Sequence, residues 1–174
     1  MRKNTYFALF TLTLLIMQRV WMEHFPLFGS GPDLTLMVLV YFAAFHDPVK
    51  GVIVFFFVGA LSDVLIGYYP GLYATIYVII FFLMHNMGKS FFLRSMSFQV
   101  VAAMIVTIVF KLVEFLLLTF TEVPMATRIE LWWALPGQLI ANTIAAPFIF
   151  KALWFLEEIT QPLLSRKGAG WSRI

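Results

Sequence analysis

The residues from Pro32 to Gly71, PDLTLMVLVYFAAFHDPVKGVIVFFFVGALSDVLIGYYPG, decide the fold. Two apolar runs are packed into this stretch, separated by the tight break His46-Asp47-Pro48. The second run carries a carboxylate, Asp63, one helical turn after Gly59. Apolar runs with a Gly/Pro break and one embedded acid describe a membrane hairpin rather than a soluble core. An acid in that setting is costly in lipid and needs a structural or functional reason.

Composition extends this reading to the whole chain. The 174 residues are 61% hydrophobic and 18% aromatic, and only 12% are charged. Mean hydropathy is +0.90. A soluble domain is about one quarter charged, so this chain cannot cover its apolar surface with polar groups. The expected fold class is all-α: a polytopic membrane protein of six transmembrane helices in a single domain over residues 1–174. Cysteine is absent, which excludes disulfides and thiolate metal sites.

Working outward, helix two is expected over 32–46 and helix three over 48–66. Pro32 with Asp33, and Asp47 with Pro48, are helix-start signals. Helix two would be only about 20 Å long against a hydrocarbon core of about 30 Å. It must start within the interface, thin the bilayer or lean on protein neighbours. In helix three, Gly59, Ser62, Asp63 and Ile66 share one face. That small, polar face suits close helix packing, and helix two is the expected neighbour. Gly67 to Gly71 forms a turn with interfacial tyrosines.

Helix one is expected over 5–23 as an uncleaved span, since no small-residue cleavage site follows it. Arg19, Trp21 and Glu23 would anchor its exit. Helix four is expected over 71–88, helix five over 98–121 and helix six over 135–156. The segment 122–130 reads as a polar connection and 157–174 as a cytoplasmic tail. Pro147 is expected to kink helix six. With six spans, one side collects Arg2, Lys3, Lys50, Lys89, Arg94, Arg166, Lys167 and Arg173, and the other has Arg128 and Arg19. This asymmetry predicts a multi-pass protein with both termini in the cytoplasm.

Candidate functional residues are few. Asp63 can bind a cation or ligand, or hydrogen-bond a neighbouring helix or loop amide. Lys111 and Glu114, three apart in an apolar run, can form a relay or a self-neutralising intramembrane ion pair. Gln138 and Asn142 can line a pocket or bond between helices. His24, His46 and His85 lack metal-ligand spacing. Gly29-Ser30-Gly31 is not a nucleophile elbow. No enzyme motif, metal site or cofactor site is expected, and no nucleic-acid surface.

The central stretch resembles the rod shape-determining protein MreD family. The resemblance rests on Pro32-Asp33-Leu34, Tyr41-Phe42, Gly51, the run Gly59-Ala60-Leu61-Ser62-Asp63, and Gly71-Leu72 with Tyr77. It covers about residues 30 to 90, with Asn142 further on. It implies a non-catalytic scaffold of the bacterial cell-wall elongation machinery in the cytoplasmic (inner) membrane, maintaining rod shape. The implied direct partner is MreC, within a wider complex of MreB, RodZ, RodA and a class B penicillin-binding protein. The implied fold is similar to the substrate-binding components of energy-coupling-factor vitamin transporters. Such a transporter component is the alternative function. Its docking pattern A-x-x-x-A is missing from helix one, where Ala8 stands alone. Asp33, Gly59, Asp63 and Gly71 match the family pattern; with Ser62 and Asn142 they are the candidates for helix packing or partner assembly.

Overall fold

The computed structural model describes residues 10–11, 13–18, 31–66, 69–88, 95–121 and 124–168. It is all-helical, with no strand among the described residues. Residues 10–11 and 13–18 belong to α1. The others are α2 (Leu34–Phe45), α3 (Pro48–Ile66), α4 (Leu72–Gly88), α5 (Met96–Thr119) and α6 (Met125–Gly168). The expected anchors Arg19, Trp21 and Glu23 lie outside the described residues.

The start signals operate as their chemistry demands. Asp33 caps α2, its carboxylate accepting the Leu36 amide at 3.0 Å. Asp47 accepts the Val49 amide at 3.0 Å ahead of α3. Each satisfies a donor that a helix start leaves without an intrahelical partner. Gly71 supplies the left-handed conformation, φ 89°, that opens α4.

Helix α2 is the axis of the bundle. It packs against α6, α4, α3 and α5. From Leu36 to Ala43 no residue exceeds 3% exposure. Its shortness is thereby explained: α2 leans on protein on every side from Thr35 to Ala43. Around it, α3 lies along α4 and α5 along α6. The fully buried rings of Tyr41, Phe42, Phe55, Phe81 and Phe150 join these layers. Phe42 meets Phe55 edge-on at 5.7 Å, and Tyr41 meets Phe150 at 6.1 Å. Such aromatic pairs stabilise beyond the area they bury.

Two expectations are corrected. The face of Gly59 packs on α4, not on α2. A Cβ at Gly59 would lie 2.5 Å from the Ala74 Cα and 2.8 Å from the Tyr73 carbonyl oxygen. Gly51, one face-repeat earlier, lies under the Phe81 ring of the same helix. Helix α6 is also longer than expected. It starts at Met125, inside the supposed polar connection, and continues through Pro136 and Pro147 into the supposed tail, ending at Gly168. Arg128 and Glu130 are good helix formers, so polarity there continues the helix rather than making a loop. At 1.5 Å per residue α6 is about 66 Å long, roughly twice the hydrocarbon core. Its apolar part is Trp132–Glu158.

The outer surface is apolar. On α5, Val101, Ile105, Ile108, Leu112 and Leu116 are between 42% and 55% exposed. On α3, Phe57 is 66% exposed and Val64 78%. The same helices bury Ser62, Asp63, Gln99, Thr107, Lys111 and Glu114. Polar groups inside and large apolar groups outside suit a lipid solvent, which needs no polar surface. Among the described residues, three helices are long and apolar enough to cross a membrane: α3, α5 and the apolar part of α6.

Candidate functional site: a polar network inside the bundle

Asp63 anchors one end of the network. It is 7% exposed. Its carboxylate accepts the amides of Gly71 at 3.0 Å, Tyr73 at 2.7 Å and Ala74 at 3.3 Å. These amides open α4, so the acid sits on the positive end of a helix dipole. The bare Gly59 one turn below lets α3 approach close enough for the bonds to form. Ser62 donates to the Val58 carbonyl at 2.9 Å. Gly59, Ser62, Asp63 and Gly71 therefore form one joint between α3 and α4.

The joint continues into α5 through Tyr73. The Tyr73 hydroxyl donates to Glu114 at 3.3 Å. Glu114 also accepts from the Lys111 ammonium at 2.8 Å. The Lys111 and Glu114 side chains are only 9% and 4% exposed. Two charges three residues apart on one helix face each other, and here both point inward.

Asn142 on α6 holds the other end. Its carbonyl oxygen accepts the Asp33 amide at 2.6 Å, and its NH2 group donates to the Thr107 hydroxyl at 2.9 Å. Thr107 in turn donates to the Ala103 carbonyl at 2.7 Å. Gln18 of α1 accepts the Leu34 amide at 3.0 Å and bonds the Asp33 carboxyl. Asp33 and Asn142 thus join α1, α2, α5 and α6 at the start of the central helix. Gln138, one turn before Asn142, is buried with no partner for its carbonyl oxygen among the described residues.

At the opposite end of α2, the Tyr41 hydroxyl donates to Glu157 of α6 at 2.6 Å. There His85 of α4 hydrogen-bonds the Ala43 carbonyl through Nδ1 at 2.9 Å. The sequence reading missed these pins, along with Gln18, Thr107 and Tyr73. Gln18 and Thr107 were visible as polar residues in apolar runs. Tyr73 carried no such signal, because tyrosines also line membrane interfaces.

By hydrogen bonds the candidates form two adjoining clusters. Gly59, Ser62, Asp63, Gly71, Lys111 and Glu114 connect through Tyr73, while Asp33 and Asn142 meet at the α2 start, with Asp33 in electrostatic reach of Lys111 and Glu114. Chemically, the network consists of helix caps, interhelical hydrogen bonds and a neutralised ion pair. Among the described residues no three His, Asp or Glu side chains converge as metal ligands.

An apolar exterior over a hydrogen-bonded polar interior defines a helical integral membrane protein whose buried polar groups fasten helices to one another. The chain belongs to the MreD family, the rod shape-determining proteins, whose family model matches residues 1–156. The match extends through α5 and most of α6, well beyond the residues that carried the resemblance. No curated protein and no solved structure matches the chain.

Proposed function

We propose that this protein is a non-catalytic scaffold of the bacterial cell-wall elongation machinery that binds MreC directly. It lies in the cytoplasmic membrane with six crossings and both termini inside. MreB, RodZ, RodA and a class B penicillin-binding protein join it in the wider complex. One observation carries the reading beyond family membership. The buried charges, Asp33, Asp63, Lys111 and Glu114, all hold helix starts or one another, which is the chemistry of a rigid frame. The Lys and Arg asymmetry supports the orientation.

The test is recovery of partners from the native host in mild detergent. MreC retained near one-to-one supports the scaffold. An ATPase pair with a bound vitamin, and no MreC, overturns it in favour of a transporter component. Orientation is read separately with single cysteines in this cysteine-free chain. Positions Ser30, Tyr69 and Thr127 should react with an impermeant maleimide from the periplasmic side, and Pro48, Ser90 and Ser172 should not. Labelling at Ser90 from that side refutes the orientation.

A further inference from the structure

Lys151 is exposed within the membrane-crossing part of α6. No carboxylate among the described residues pairs with it. Glu157 is engaged by Tyr41. Along the same side of α6 run Ile140 (53% exposed), Ile144 (61%) and Phe148 (69%), each a helical turn apart and leading to Lys151. Phe155 (64%) follows one turn beyond.

The dimensions of this strip are those of one lipid. From Ile140 to Lys151 it is about 16 Å long, and one leaflet of the hydrocarbon core is about 15 Å thick. Trp132 and Trp133 are exposed near the start of the apolar segment, where aromatic residues mark an interface. Lys151 lies about 27 Å beyond Trp133, just inside the opposite boundary. An ammonium on a flexible stem there extends to the headgroup layer. We propose that this face of α6 is a binding site for one anionic phospholipid, its acyl chains along Ile140, Ile144 and Phe148 and its phosphate on Lys151. The aromatic ring of Phe155 borders the headgroup. The occupant is identified by charge complementarity: a cation at the end of an apolar strip of leaflet length selects an anionic lipid over a zwitterionic one.

Trp154, one turn from Lys151, provides the probe. The full chain is reconstituted in nanodiscs with brominated phosphatidylglycerol or brominated phosphatidylcholine, and the Trp154 signal is isolated by subtracting Trp154→Phe. Phosphatidylglycerol should be preferred about five-fold, the effect of one cation near an anionic lipid. Lys151→Gln should abolish the preference, and Lys151→Arg should retain it. Lys50→Gln should leave it unchanged, because Lys50 lies off this strip and faces Asp47 at 3.7 Å. Equal melting temperatures of the variants show that the fold is intact. Equal quenching by the two lipids in the parent chain overturns the proposal. So does a preference that survives Lys151→Gln, or one that free inorganic phosphate abolishes. A preference that appears only after MreC is added also overturns it, since the strip would then be completed by protein.

Discussion

Removing either member of the Lys111–Glu114 pair should damage the protein more than removing both. The pair is 2.8 Å apart, and its side chains are 9% and 4% exposed. Lys111→Met leaves Glu114, among the described residues, with the Tyr73 hydroxyl alone, a neutral donor at 3.3 Å. Glu114→Gln leaves the Lys111 ammonium without its hydrogen-bonded counter-charge, facing only the more distant Asp33 carboxyl among the described residues. Breaking a buried pair from one side costs about 3–5 kcal/mol. The double substitution removes both charges, while the introduced amide still accepts from Tyr73. It should therefore cost about 1–2 kcal/mol, because neutral groups of similar volume often replace a buried pair at little loss. The coupling is then several kcal/mol, far above the roughly 0.5 kcal/mol within which independent sites add. Unfolding free energies of the parent, both single variants and the double variant in one detergent supply the cycle. Additive losses would show that the two residues do not interact and would refute the buried-pair account.

Three further outcomes follow from the same geometry. Gly59→Ala should lower the melting temperature, with a loss of about 1–3 kcal/mol from overpacking, because the new Cβ meets α4 backbone at 2.5 Å; Gly59→Leu should lower steady-state protein level as well. A normal melt for Gly59→Leu would remove the close α3–α4 approach from the argument. Asp63→Asn should cost about 1–2 kcal/mol and Asp63→Ala more, because the amide keeps one acceptor for the α4 start while the methyl keeps none. Equal losses in thermal denaturation would refute the capping role. Asn142→Ala should destabilise by about 1–3 kcal/mol, the cost of an unpaired buried group, whereas Gln138→Leu should be tolerated, its carbonyl having no partner among the described residues. Matching losses in the two would contradict the bonds assigned to Asn142.

What the sequence determined by itself was the solvent and the local contacts. Too few charges for the apolar surface placed the chain in lipid. Helix starts at Asp33 and Asp47 were legible because a cap reaches only two or three residues along the chain. Lys111 and Glu114 were legible for the same reason, being one turn apart. Asp63 was legible as an acid near a turn, able to hydrogen-bond a neighbouring helix or loop amide. The tertiary structure decided everything that joins distant segments. Asp33 meets Asn142 across 109 residues, and Tyr41 meets Glu157 across 116. It also decided that α2 is central and that Gly59 faces α4. The physical reason lies in the solvent. In water, an apolar stripe tells which side of a helix faces the core. In lipid, core and surroundings are equally apolar, so α2, buried on every side from Thr35 to Ala43, and α5, with one apolar side exposed, read alike. Only the packing of side chains in three dimensions distinguishes them.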